Sequence, residues 1–91
     1  MSRTIFLLVA LTFLPASLHA AARIRYEHAE ATALRLVPGG AVMSGNLEQE
    51  NGRLVWLFDI SIPRSKNLRE IQVDASTGAV VSNTVESPID R

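Results

Sequence analysis

The dipeptide Asn51-Gly52 constrains this chain more than any other feature. It stands between two β-type runs, and a two-residue type I′ turn needs positive φ at both central positions. A loop of two residues also sets the register of the strands it joins. Glu50 then faces Arg53, Leu47 faces Trp56, Gly45 faces Phe58 and Met43 faces Ile60. Side chains alternate across a strand, so one face collects Ala41, Met43, Gly45 and Leu47 with Leu54, Trp56, Phe58, Ile60 and Ile62. The other carries Val42, Ser44, Asn46, Glu48 and Glu50 beside Arg53, Val55, Leu57, Asp59 and Ser61. A slip of one residue would put the charged set inside, so turn and hydrophobic pattern agree on one pairing.

The elements around the hairpin follow from the same kind of reading. Arg25 to Val37 has helical periodicity, with Tyr26, Ala29, Ala33, Leu36 and Val37 on one stripe. Pro38-Gly39-Gly40 ends it, because proline cannot continue a helix and glycine accepts the turn out. Leu68 to Val73 alternates as a third strand, with Ile71 and Val73 facing inward. Asp74 to Gly78 is a turn: Asp74 can accept backbone amides ahead of it, and Gly78 suits a left-handed position. Ala79 to Val81 starts a short fourth strand. From Ser82 the periodicity fades, and residues 83–91 read as a flexible tail in which Pro88 blocks long edge pairing. The expected fold is α+β in two layers. One short N-terminal helix packs on a three- to four-stranded antiparallel sheet, with a core of Tyr26, Ala29, Ala33, Leu36, Leu47, Leu54, Trp56, Phe58, Ile60, Ile71 and Val73.

Residues 1–22 read differently. Arg3 precedes an apolar run from Ile5 to Leu14, and the small-residue stretch Ala20-Ala21-Ala22 follows. A short basic start, an apolar middle and a small-residue exit describe a cleavable secretory signal peptide. The run is too short for a membrane span, which takes about 20 residues. Cleavage after Ala22 uses Ala20 and Ala22 as the small pair; cleavage after Ala20 is the alternative, with Leu18 two places upstream. The expected location is therefore periplasmic or secreted, with no stable membrane insertion once the leader is gone.

Charge and cysteine count narrow the function. The 91 residues carry 9 basic and 9 acidic side chains; without Arg3 the balance is 8 against 9, a net −1. No basic patch for nucleic acid follows from that. The chain has no cysteine, so packing alone must hold residues 23–82, close to the lower size limit for a self-sufficient core.

The helix with "PGGAV" after it, the strand "ENGRLVWLFDI" and the closing "EIQVDASTGAVV" together resemble the PepSY domain. The matching positions are Ala33-Leu34, Pro38-Gly39, Gly52, Val55-Trp56, Asp59, Val73-Asp74-Ala75, Thr77-Gly78 and Val80, spread over Ala29 to Val81. The resemblance implies a small exported domain that binds a peptidase and restrains or chaperones it. In the propeptide setting of that family a catalytic domain follows; none follows in this sequence, so restraint would act on a separate protein. The family supplies no shared catalytic residue to carry over.

The residues themselves point away from catalysis. His28 lacks the second histidine of an H-E-x-x-H helix, and a catalytic zinc site usually takes three protein ligands. Glu48, Glu50, Asp59, Glu70 and Asp74 occupy the ordinary polar positions of an exposed sheet face. Ser65, Ser76 and Thr77 have no base to activate them. The chain reads as a non-enzyme without cofactor or metal. Val42, Val55 and Leu57, apolar on the face away from the helix, form the expected partner-binding patch. An accessory or sensory domain that binds a small ligand and modulates an envelope signalling protein is the alternative, and it requires a pocket between helix and sheet.

Overall fold

The computed structural model describes residue 19 and residues 21–90. The stretch expected to be the leader lies almost wholly outside them. Helix α1 spans Tyr26–Leu34, and four strands follow: β1 Ala41–Glu50, β2 Arg53–Ser61, β3 Leu68–Asp74 and β4 Val80–Glu86, with a 3-10 turn at Pro88–Asp90. The strands form one antiparallel sheet in the order β1-β2-β3-β4. Helix α1 packs over β1, β2 and β3. The architecture is α+β, one helix on a four-stranded open sheet.

The central hairpin has the register expected from its turn. Asn51 and Gly52 take φ of 52° and 77°, and Glu50 pairs with Arg53, Leu47 with Trp56 and Gly45 with Phe58. Gly45 is required there. A Cβ on it would lie 2.6 Å from the Tyr26 hydroxyl oxygen and 3.0 Å from Phe58 Cδ1. Tyr26 uses that space to set its ring 5.5 Å from both Trp56 and Phe58.

Beyond Ser44 the register departs from the expectation. A bulge between Val42 and Ser44 brings Val42, not Met43, opposite Ile60. Met43 is displaced outward at 64 % exposure, while Val42 is half-buried against the core. The bulge lies where the chain passes from helix to sheet through Gly40, whose Cβ position would be 2.7 Å from both Ile60 and Val37. An extra residue bends and twists an edge strand locally, and here it lets β1 follow that close approach.

The helix is also shorter than the Arg25 to Val37 periodicity indicates. After Leu34 the bonds tighten to i−3: Leu36 N–H donates to Ala33 O and Val37 N–H to Leu34 O, at 3.0 and 3.1 Å. Pro38 disfavours the α conformation at Val37 and cannot extend the bond ladder. The tighter turn rotates Leu36 outward, to 39 % exposure, and brings Val37 into the core instead. Leu36 is thus not a core residue. Tyr26 and Leu54 sit half-buried at the margin of the core, and Ala29, Ala33, Leu47, Trp56, Phe58, Ile60, Ile71 and Val73 are buried. The two alanines, both fully buried, let the helix lie close over Phe58 and Ile60.

Strand β4 does not fray at Ser82. It pairs with β3 from Val80 opposite Val73 to Glu86 opposite Leu68, so the tail expected over 83–91 is ordered into a strand as far as Glu86. Backbone pairing with β3 supplies what hydrophobic periodicity does not.

Candidate functional site

Helix α1 covers one side of the sheet; the alternate residues of the strands form the outer face. On it Val55 is fully buried, flanked across the strands by Glu48 and Asp74. Leu57 is half-buried between Asn46 and Gln72. With Val42 moved to the helix side by the bulge, the expected patch of Val42, Val55 and Leu57 is not a continuous exposed surface. Leu57 alone reaches it in part.

What the outer face presents is negative charge. Asp59 pairs with Glu70 across β2 and β3, and the order in β4 brings Glu86 beside them. Carboxylate oxygens of Asp59, Glu70 and Glu86 all lie within 4.8 Å of one another. The hydroxyl of Ser44 donates to Asp59 Oδ2 at 3.2 Å, and Asp59 Oδ1 is buried without a hydrogen-bond partner. Burial raises the Glu70 carboxyl above its ordinary value, and the charges of Glu86 and Asp59 raise it further. A proton on Glu70 relieves the repulsion among these clustered carboxylates. Oxygen donors of this kind also suit a hard divalent cation. Asp59 and Glu70 were legible as polar strand positions. Their junction with Glu86 was not, because Glu86 joins only through the extended β4.

The turn after β3 does different work. Asp74 Oδ1 accepts from the Ser76 and Thr77 amides at 2.7 and 3.0 Å, and Arg53 lies 3.5 Å from Oδ2. The two amides, with a smaller contribution from Arg53, hold its carboxyl below the ordinary carboxylate value. Gly78 takes φ of 82°, and Thr77 Oγ1 accepts from Ala79 N–H at 3.2 Å. The buried Ala75 is the centre of the arrangement: its N–H donates to Leu54 O, and its carbonyl accepts from both Arg23 and Ile24 N–H at 2.9 Å. Ile24 O in turn accepts the Trp56 indole N–H at 2.7 Å. Sequence reasoning assigned Ala75 and Ile24 no role. Small size inside a turn motif was the available signal for Ala75.

The remaining candidates are dispersed. His28 is exposed on the outer side of α1 and, with Arg23, Ile24, Arg25 and Glu27, lines a surface depression. Pro38 and Gly39 form the helix exit, with Gly39 at φ 79° against Pro63. The layer between helix and sheet is filled by Ala29, Ala33, Phe58, Ile60 and Ile71, all fully buried.

A fold of this order, closed by an Asp-Ala-x-Thr-Gly turn that anchors the N-terminal segment, matches one family profile, described as "Peptidase propeptide and YPEB domain", over residues 23–84. This chain belongs to the PepSY family. The match covers more than half of the chain and includes every strand almost to its end. Comparison with curated proteins and with solved structures found no match. The PepSY family is associated with peptidase propeptides and inhibitors, and its domains are typically extracellular or periplasmic. Among the described residues no helix is long and apolar enough to cross a membrane. In this PepSY domain the family-like residues Asp74, Thr77 and Gly78 hold the turn, and Ala75 ties the N-terminal segment to it.

Proposed function

We propose that this chain is a small exported, non-catalytic PepSY module that binds a secreted or periplasmic peptidase and restrains it. The leader-like pattern of residues 1–22 supports export. The family match supports a peptidase as the class of partner. The observation that carries the reading is the outer face of the sheet, uncovered among the described residues, where the carboxylates of Asp59, Glu70 and Glu86 cluster and Glu48 lies diagonal to the half-buried Leu57. A face of that charge fits a basic surface on the partner, since complementary potentials steer encounter and orient docking. The interior supports a binding module over a ligand sensor, because its helix–sheet layer is occupied by side chains.

Purified mature protein is titrated against peptidases secreted by the same cell. Falling activity at micromolar protein is expected, with weaker inhibition at high salt. The double variant Glu48→Lys/Leu57→Lys should fold and inhibit less. Val55 is avoided because a charge at that buried position would unfold the domain. Unchanged activity at micromolar excess, together with no peptidase captured, overturns the proposal.

A further inference from the structure

Four large apolar side chains exposed among the described residues, Val80, Val81, Val85 and Ile89, lie on β4 or in the turn behind it. The helix extends over β1 to β3, so among the described residues the helix-side face of β4 has no comparable cover. Asn83 and Val85 stand on that face, opposite Ile71 and Arg69 of β3. Strand β4 is also an edge of the sheet, and an edge presents unpaired backbone groups.

The two edges differ in their protection. Edge strand β1 carries a bulge at Met43, a glycine at position 45 and the charges of Glu48 and Glu50. Such devices keep an edge from pairing. Strand β4 has no lysine, arginine or proline from Val80 to Glu86; its one charge is at its end, and its irregularity, at Val81, is confined to the start of the strand ahead of the regular run Ser82–Glu86.

Its sequence, Val80-Val81-Ser82-Asn83-Thr84-Val85-Glu86, is close to a palindrome about Asn83. We propose that β4 pairs with β4 of a second copy of this chain, antiparallel and with the twofold axis at Asn83, to give a continuous eight-stranded sheet. In that register Asn83 meets Asn83, Ser82 meets Thr84, and Val81 meets Val85, each pair occurring twice except the first. Cross-strand valine pairs and hydroxyl pairs are the combinations that stabilise an antiparallel ladder. Charge is compatible as well: each Glu86 lies opposite Val80, and the two Glu86 side chains are separated by about 20 Å along the strands, at 3.4 Å per residue. Pro88 falls outside the paired run. Val81 and Val85 are covered by their counterparts.

The chain has no cysteine, so a single introduced thiol reports the register. Residues directly opposite in an antiparallel pair have Cα atoms about 4.5–5.5 Å apart, within disulfide range. Asn83→Cys in mature protein should therefore give a disulfide-linked dimer under mild oxidation. Val80→Cys, opposite Glu86 and far from its twin, should remain monomeric on a denaturing gel. Sedimentation of the unmodified protein should give the mass of two chains, and Asn83→Lys, which opposes two ammonium groups at the axis, should give the mass of one. Circular dichroism checks that each variant is folded. A single-chain mass at high protein concentration, or cross-linking through Val80→Cys as efficient as through Asn83→Cys, overturns the proposal. If the protein sediments as one chain but Asn83→Lys loses a captured peptidase, the edge serves that partner and self-pairing is wrong. The inhibition assay is read separately, so either idea can fail alone.

Discussion

Trp56 and Ile24 are joined by the 2.7 Å bond from the indole N–H to the Ile24 carbonyl, and through it the N-terminal strap is locked to the sheet. Ile24 also donates to Ala75 O, whose own N–H reaches Leu54. Three segments remote in sequence thus meet at one tryptophan, which is buried and edge-on to Tyr26 at 86°. Its single N–H is satisfied where an unpaired one would be costly.

Trp56→Phe keeps a ring but removes the donor. The Ile24 carbonyl loses its partner, and a loss of about 1–3 kcal/mol is expected, the usual cost of an unsatisfied polar group. Urea denaturation measures it. Faster amide exchange at Ile24 and Arg23 should accompany the loss, since the strap is released; unchanged exchange would show that the indole does not hold it.

Asp74→Ala removes the acceptor of the Ser76 and Thr77 amides and the partner of Arg53. Hydrogen bonds to a charged group are the stronger kind, so about 2–3 kcal/mol is expected. The effect depends on pH with a definite sign. The folded carboxyl titrates below its unfolded value of 3.8, so unfolding takes up a proton in that range. The stabilisation is complete above the unfolded value and is lost as pH falls through the folded one. The gap between wild type and Asp74→Ala should be constant at neutral pH and shrink in acid.

Glu70 has the opposite sign. Its folded carboxyl titrates above 4.5, so folding takes up a proton between the two values. Its contribution is favourable below the unfolded value and is lost as pH rises through the folded one. Glu70→Gln, whose amide can donate to Glu86, should raise the melting temperature at neutral pH. That advantage should disappear below about pH 4, where ordinary carboxylates protonate. A variant less stable than wild type at pH 7 would mean that Glu70 is held by something other than repelling carboxylates.

Gly45→Ala places a methyl 2.6 Å from the Tyr26 hydroxyl oxygen and 2.8 Å from its ring. Overpacking of this kind costs about 1–3 kcal/mol. Gly45→Ala combined with Tyr26→Leu should recover part of that loss, and a thermal melt of the two variants tests the coupling. Equal melting temperatures would show that Tyr26 does not occupy the space above Gly45.

The sequence by itself determined what depends on neighbouring residues. Asn51-Gly52 and Asp74 to Gly78 admit few backbone conformations, and alternation beside a two-residue turn leaves one register for Gly45, Leu47, Trp56 and Phe58. Those restrictions operate within a few residues, so they are visible in a string of letters. Only the tertiary structure decided that Val42 turns inward at a bulge, that Leu36 turns outward after a shortened helix, and that Glu86 joins Asp59 and Glu70. Each outcome depends on a segment distant in sequence: the close approach of Gly40 to β2, or the ladder that β3 offers to β4. Val55 shows the difference most plainly. Its apolar character on a polar face suggested a contact surface, yet it lies fully buried between strands whose polar residues enclose it, because burial is set by what the neighbouring strands bring alongside and not by the residue's own position in the pattern.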